Sequence, residues 1–146
     1  MYYFKTPNAE ANFNFSNATA FEAFADSTLS STTSTTLQTK LSGTSTRDDT
    51  GSYILQWYCE VANSNNNATT DFRVQWKQTS STTFITLTEF DTFIGRTDKF
   101  IPLTGFKIIS NPTQSTIDFR IQFARGTGGT ARIQNVNFYL FRILPT

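Results

Sequence analysis

Few residues of this 146-residue chain could do chemistry, and their types exclude most catalytic sites. The sequence has no histidine and a single cysteine, Cys59. Without histidine the chain cannot form a Ser-His-Asp or Cys-His catalytic arrangement, or a zinc site that uses imidazole. One thiolate cannot hold zinc by itself, and it can form no disulfide within the chain. We therefore expect no metal, no cofactor and a core position for Cys59.

The acidic residues offer two candidate sites, and each has a simpler explanation. Glu89 and Asp91 are the nearest pair of carboxylates at a spacing of two, and glycosidases need two carboxylates that face each other across a sugar. Their Phe-rich surroundings favour solvated charges in a loop. Asp48 and Asp49 in "RDDTG" could supply oxygens to Ca²⁺, but Asp and Gly are also ordinary turn residues. The sequence therefore predicts that the protein is not an enzyme.

Three further patterns point to structure rather than to chemistry. The segment "RGTGGT" at 125–130 joins two predicted strands, so it indicates a hairpin turn with Gly at positive φ rather than a phosphate-binding loop. Residues 17–19 and 67–69 match the N-glycosylation pattern, which an Asn- and Thr-rich chain produces by chance. Trp57 and Trp76 alternate with polar neighbours, which favours core packing over a sugar-stacking platform.

Composition indicates the class of protein. The chain carries 12 basic and 11 acidic residues, a balance that gives no support for a nucleic-acid partner or an anionic membrane surface. No apolar stretch approaches the length of a membrane span, and we expect neither a membrane partner nor a leader sequence. Fifteen Phe and abundant Thr, Ser and Asn favour strands over helices. These features predict one all-β domain.

Alternation of apolar and polar residues predicts about seven or eight short strands, of which seven can be placed. They are expected at about 33–42, as an antiparallel hairpin of two strands within 51–78, at 82–88, at 99–110 as an edge or bulged strand, within 115–126 and at 130–143. The segment 89–98 is expected to be a long connection. This spacing is typical of an antiparallel β-sandwich. The long crossover favours a jelly roll, whereas an immunoglobulin fold wants two bridging cysteines.

The last strand, "NVNFYLFRIL", is apolar on both faces. Val136, Phe138 and Leu140 point one way, while Tyr139, Phe141 and Ile143 point the other. A strand in a sheet with one solvent-exposed face does not have this pattern. The second face therefore needs a cover, which we expect from the aromatic N-terminal arm and from a neighbouring subunit. The predicted interface residues are Tyr2, Tyr3, Phe4, Phe13, Phe15, Phe21, Phe24, Tyr139, Phe141 and Ile143.

The sequence leaves the local structure of the arm open, and it suggests an irregularity in the last strand. We divide the chain into an arm at 1–30 and a jelly-roll domain at 31–146. Phe13 and Phe15 could lie on one face of a strand, whereas the spacing of Phe21 and Phe24 also fits a helical turn. A bulge near residues 134–135 would re-aim the side chains of the last strand.

Four segments carry a resemblance to a known family: "TGSYILQWYCEVANSNNNATTDFRVQWKQ", "TTFITLTEF", "FIPLTGFKIIS" and "STIDFRIQFARGTGGTARIQNVNFYLFRI". The pattern over 33–144 resembles jelly-roll modules of tailed-bacteriophage structural proteins. There a Gly-Ser/Thr-Tyr strand opens a hairpin, and a Gly-Thr-rich turn precedes a final strand with the pattern A-x-I-x-N-(V/A). The resemblance implies a virion component, often trimeric, that works through packing surfaces. It carries over no site residue.

The sequence thus predicts a non-enzymatic virion protein of the capsid decoration, cement or minor capsid type. It would bind the shell through its arm and self-associate through its sheet, with a trimer favoured. The expected partners are its own copies and other virion proteins such as the major capsid protein. The alternative is a receptor- or glycan-binding head of a phage tail fibre or spike, with the loops at 63–69 and 89–98 as contact surface. A carbohydrate-binding module is weakened by the two inward Trp residues.

Overall fold

The structure is a computed structural model that describes residues 21–45, 52–94, 96–109 and 116–143, with the backbone alone at 93, 94, 142 and 143. The described residues form nine strands: β1 (Phe21–Asp26), β2 (Ser30–Thr32), β3 (Gln38–Thr44), β4 (Ser52–Asn63), β5 (Ala68–Gln78), β6 (Ile85–Ile94), β7 (Ile101–Ile109), β8 (Ile117–Arg125) and β9 (Ala131–Ile143). None of the described residues belongs to a helix long and apolar enough to cross a bilayer.

The strands form two antiparallel sheets that pack face to face. One sheet has the order β1-β9-β4-β7, with β2 pairing to a second stretch of β9, and the other has the order β3-β8-β5-β6. Most consecutive strands lie in opposite sheets, which is the jelly-roll arrangement. The predicted all-β jelly roll is confirmed. Strand β7 lies at a sheet edge, as Pro102 and Gly105 predicted.

Two predicted hairpins are wrong. Strands β4 and β5 belong to different sheets, and so do β8 and β9, so the connections at 64–67 and 126–130 cross between the sheets. Alternation predicts which face of a strand is buried, but both sheets bury a face in the same core, so it cannot tell which sheet a strand joins. The turn chemistry is confirmed, because Gly128 and Gly129 have φ of 67° and 66°.

The segment 89–98 is not the long connection that the sequence predicted. Strand β6 runs on to Ile94, and it pairs with β5 so that Asp91 lies opposite Asp71 and Phe90 opposite Phe72. The Phe90 and Phe72 rings are 5.3 Å apart, and this contact holds the continuation of the strand against the core. Glu89 and Asp91 are therefore exposed strand residues rather than loop residues.

The core lies between the sheets and consists of alternate residues of the long strands. Trp57 and Trp76 are 5% and 8% exposed, which confirms their inward position. Cys59 is fully buried, and this burial, with the charge of Glu60, raises the pKa of its thiol to about 12. The thiol is therefore protonated at neutral pH and unreactive.

Residues 21–26, which we assigned to the arm, form the edge strand β1 rather than a helical turn. Phe21 pairs with Phe141, and Phe24 pairs with Phe138. Because strand side chains alternate, the two phenylalanines point to opposite faces. Phe24 packs inward with its ring 4.8 Å from that of Phe119. The division of the chain at residue 30 stays a prediction, and Phe13 and Phe15 lie outside the described residues.

The predicted bulge in β9 is confirmed. The pairing with β4 shifts between Tyr58 and Glu60, and Asn135 has a positive φ of 51°. The extra residue lets Ile133 and Val136 both face the core, although they are three positions apart. The bulge therefore determines to which side of the sheet each later residue of β9 points.

Candidate assembly surface

The candidate site is the side of the β1-β9-β4-β7 sheet that faces away from the core. We call it the outer face. Strand pairing lines its side chains up in two rows across four strands. The first row consists of Phe21, Phe141, Ile54 and Ile108, and the second of Ala23, Tyr139, Gln56 and Phe106. Seven of these eight residues have apolar or aromatic side chains.

The dimensions of this surface follow from sheet geometry. Neighbouring strands lie roughly 4.8 Å apart, so four strands span about 14 Å, and residues two apart along a strand add about 7 Å. The rows therefore form a continuous apolar patch rather than scattered residues. Contiguous apolar patches of this kind mark interaction sites on soluble proteins, whereas single exposed apolar residues do not.

The outer face is covered only in part. Phe106, Ile108 and Phe21 are 69%, 51% and 42% exposed. Phe21 lies over the last strand, with its ring 5.1 Å from that of Phe141 and 6.0 Å from that of Tyr139. Strand β1 thus begins to cover the second apolar face of β9. Strand β7 leaves Phe106 and Ile108 in water, whereas Ile54 of β4 is half-buried.

A hydrogen-bonded cluster around Glu60 bounds the patch at one end. Glu60 accepts hydrogen bonds from Gln134 at 2.8 Å, from Tyr58 at 2.8 Å and from Asn135 at 2.9 Å. These donors, Gln134 above all, hold the pKa of Glu60 below its usual value. The hydrogen bond to Glu60 raises the pKa of Tyr58. The carboxylate therefore stays ionised, and all three partners are fixed beside the bulge.

The outward side of the other sheet has a different character, because polar side chains link its strands. Arg73 donates to Gln122 at 2.9 Å, and Arg120 donates to Gln75 at 2.8 Å. Gln122 in turn donates to Thr39 at 3.2 Å. Such a polar ladder is stable in water without a partner. The contrast makes the apolar outer face the stronger candidate for an interface.

The structure brings part of the predicted interface together. Phe21, Tyr139 and Phe141 are neighbours on the outer face. Phe24 is not on this face, because alternation along β1 turns it into the core. Among the other predicted residues, Ile143 is described by its backbone alone. Tyr2, Tyr3, Phe4, Phe13 and Phe15 lie outside the described residues.

Sequence reasoning missed the three large apolar residues that β4 and β7 add to this surface, which are Ile54, Phe106 and Ile108. A signal was present, because Ile54 interrupts the polar positions of β4, and Phe106 and Ile108 share one face of "FKII" while Ile109 occupies the other. In both strands apolar residues occupy the two faces over only a few positions, so the pattern is less conspicuous than in the last strand.

The described residues hold no cluster of three or more metal-binding side chains. Asp71 lies opposite Asp91, which makes a pair of like charges. Burial and the charge of Asp91 raise the pKa of Asp71. The "RDDTG" segment, considered for Ca²⁺, lies outside the described residues.

Comparison with known proteins yields similarity of fold alone. No family model matches the chain, and no curated protein matches it. Among solved structures, the VP2 subviral particle of infectious bursal disease virus is similar with a TM-score of 0.55 and 13% identity, over 84% of this chain and 33% of VP2. T=1 particles derived from the same virus give a TM-score of 0.51 and 10% identity, over 86% of this chain and 37% of theirs.

The Eiger TNF of S. frugiperda is similar to nearly the same degree. Its TM-score is 0.53 at 11% identity, over 87% of this chain and 95% of the TNF chain. This chain spans only about a third of the length of the chains that it matches in the two virus structures. At such low identity the likeness extends to the path of the chain and no further. The protein therefore shares a jelly-roll sandwich with a viral capsid protein and with a TNF.

Proposed function

We propose that this protein is a non-enzymatic structural component of a virus particle that assembles with its own copies through the outer face. The observation that carries the proposal is the pair of apolar rows that runs across four strands and leaves Phe21, Phe106 and Ile108 exposed. Burial of a large apolar side chain contributes roughly 1.5–3 kcal/mol. Covering Phe21, Phe106 and Ile108 therefore favours association by several kcal/mol before the entropic cost of binding.

The sequence resemblance and the fold support a virion in different ways. The jelly roll is shared with VP2 particles, but it is also shared with a TNF, so the fold does not choose between these classes. The choice rests on the resemblance of residues 33–144 to modules of tailed-bacteriophage structural proteins. We propose a decoration, cement or minor capsid role in a trimer that contacts the shell through residues before β1.

The test of self-association compares two isoleucines of nearly equal exposure on different sheets. Ile108 on the outer face is 51% exposed, and Ile85 on β6 is 54% exposed. We expect the unaltered protein to have the native mass of a trimer, Ile108→Lys to shift it to monomer, and Ile85→Lys to leave it unchanged. Analytical ultracentrifugation measures all three. A monomeric parent protein, or equal effects of the two substitutions, would contradict self-association through the outer face.

The role of the arm is tested by a deletion that spares the sheet. Removal of residues 1–20 leaves β1 intact, whereas removal of residues 1–25 would also remove most of an edge strand. We expect the shorter deletion to fold and to keep its oligomeric state but to lose incorporation into particles. Undiminished incorporation would show that the arm is not the anchor.

A second candidate function, a receptor- or glycan-binding head, is favoured by the exposed loop at 64–67. Asn65, Asn66 and Asn67 are exposed, and Asn66 accepts hydrogen bonds from Thr97 at 2.6 and 2.7 Å. These bonds hold the loop beside the segment that follows β6. Binding of the isolated protein to host cells, abolished by substitution of Asn65 and Asn67, would support this function.

A further inference from the structure

A groove lies on the outward side of the polar sheet, between β3 and the residue that precedes β6. Its volume is about 350 Å³, within the range of small-molecule sites. The residues that carry the argument below are Thr39, Ser42, Thr44, Phe84, Asp118 and Arg120. These six residues supply hydroxyl groups, one aromatic ring and two charges of opposite sign.

Arg120 is held in a fixed orientation in this groove. Its guanidinium carbon lies 4.0 Å from the centroid of the Phe84 ring, and its Nε donates to Gln75 at 2.8 Å. Among the described residues, no carboxylate pairs with Arg120 within 4.0 Å, and its two Nη atoms have no hydrogen-bond acceptor. Burial, with the nearby charge of Arg73, lowers the pKa of Arg120.

Asp118 does not neutralise Arg120, because it is engaged by other partners. It accepts hydrogen bonds from Thr44 at 2.7 Å and Thr79 at 3.0 Å, and it pairs with Lys77 at 3.2 Å. Burial alone would raise the pKa of Asp118, but these partners outweigh it and lower the pKa. Asp118 and Lys77 thus compensate each other, which leaves the guanidinium of Arg120 as an unmatched positive charge.

The hydroxyl groups of β3 supply both donors and acceptors to the groove. Thr39 accepts a hydrogen bond from Gln122, so its own proton is free for a ligand. Thr44 donates to Asp118, so its lone pairs are free. Ser42 is exposed and makes no side-chain hydrogen bond with the described residues. Such a wall matches a ligand with several hydroxyl groups, and the Phe84 ring offers a contact for its C–H surface.

We propose that this groove binds a sugar that carries a carboxylate, such as a uronic acid. The carboxylate would accept two parallel hydrogen bonds from the Nη atoms of Arg120, a geometry that guanidinium groups favour. The sugar hydroxyls would pair with Thr39, Ser42 and Thr44. The groove and the outer face lie on opposite sheets. This binding activity therefore goes beyond the proposed structural role and can succeed or fail independently of it.

The test uses glucuronic acid, with glucose as its uncharged counterpart, titrated into the full chain and followed by ¹H–¹⁵N NMR. We expect glucuronic acid to shift the amides of Ser42, Thr44 and Arg120, with glucose at least about tenfold weaker because it lacks the charge-assisted bonds. Added salt should weaken binding. Arg120→Gln should lose about tenfold or more in affinity. Arg132→Gln is the control, because Arg132 pairs with Asp98 at 2.6 Å away from the groove.

A second variant guards against misfolding. Ser42 is exposed, so Ser42→Phe should keep the fold while it fills the groove, and it should abolish binding. Equal binding of glucose and glucuronic acid, or binding that survives both Arg120→Gln and Ser42→Phe, would overturn the proposal. An equal response to acetate or to a glutamate-rich peptide would also overturn it, because the site would then recognise a carboxylate and not a sugar.

Discussion

At the scale of residues, two carboxyl groups respond to folding in opposite directions. Lys40 is 8% exposed, and its Nζ donates to the Thr28 carbonyl at 2.7 Å and pairs with Asp26 at 2.8 Å. The hydrogen bonds from Lys40 and Thr28 lower the pKa of Asp26 to about 2. Asp71, in contrast, faces Asp91, and burial and this charge raise its pKa. The first group stabilises the fold when ionised and the second when protonated.

The Asp26 group predicts a loss of stability in acid. Its stabilising effect is present above pH 3.8, the value of an unperturbed Asp, and is lost as the pH falls through about 2. We expect Asp26→Asn to lower the free energy of unfolding by roughly 0.5–1.5 kcal/mol at neutral pH, since the group is partly exposed. The free energy of unfolding of the Asp26→Asn variant should then fall less steeply in acid than that of the parent protein. Urea unfolding between pH 2 and pH 7 measures both effects, and Asp98→Asn, at an exposed ion pair, is the control.

The Asp71 group predicts the opposite sign. Its raised pKa means that the fold is favoured when Asp71 is protonated, and this contribution is lost as the pH rises through that pKa. Asn mimics the protonated acid, because it can donate a hydrogen bond to Asp91 without adding a charge. We expect Asp71→Asn to raise the free energy of unfolding at pH 7 by roughly 0.2–1 kcal/mol. Destabilisation at pH 7 in urea unfolding would contradict the repulsive pair.

At the scale of elements, β7 depends on one close approach to β4. Gly105 pairs with Trp57, and a Cβ at position 105 would collide with the indole ring. Because Gly105 has no side chain, the indole ring of Trp57 can pack beneath the edge strand. The same strand presents Phe106 and Ile108 outward, so the fit of Trp57 beneath Gly105 also supports the outer face.

This packing predicts a localised cost for an added methyl group. We expect Gly105→Ala to lower the free energy of unfolding by about 1–3 kcal/mol, because Trp57 must leave its position or β7 must move away. Lys107→Ala on the same strand should change it by less than about 0.5 kcal/mol, because Lys107 is exposed. Thermal unfolding monitored by tryptophan fluorescence tests both. Equal effects would show that β7 tolerates the change by shifting as a whole.

At the scale of the whole molecule, the two faces of the β1-β9-β4-β7 sheet lie in different environments. On the inner side the Phe138 ring stacks on Phe119 of the other sheet, with centroids 3.9 Å apart and planes at 3°. Phe138 is fully buried, whereas Phe106 on the outer face is 69% exposed. The inner side holds the two sheets together, and the outer side is the surface that we propose as an interface.

A pair of phenylalanine truncations separates these two roles. We expect Phe138→Ala to lower the free energy of unfolding by about 3–5 kcal/mol, because it leaves a cavity between the sheets. Phe106→Ala should leave the stability of the monomer within about 0.5 kcal/mol but weaken self-association. Denaturant unfolding at low concentration and sedimentation at high concentration distinguish the effects. A Phe106→Ala protein that assembles as well as the parent would contradict the outer face as interface.

The sequence by itself predicted the properties that alternation encodes. The all-β class, the inward Trp57 and Trp76, and the second apolar face of β9 all follow from side chains that alternate along a strand. The bulge near Asn135 and the positive φ of Gly128 and Gly129 follow from local backbone preferences. Each depends on neighbours a few residues apart.

Only the tertiary structure decided what depends on long-range pairing. Alternation could not tell that β4 and β5 belong to different sheets, or that β6 continues to Ile94 against β5. For the same reason, alternation did not identify Ile54, Phe106 and Ile108 as one surface. These residues become neighbours only when β4 and β7 pair beside β9. The local pattern could not predict the Arg120 groove either, because the walls of the groove come from segments far apart in the chain. The partner of a strand is selected by the packing of the entire sandwich, which no local pattern records.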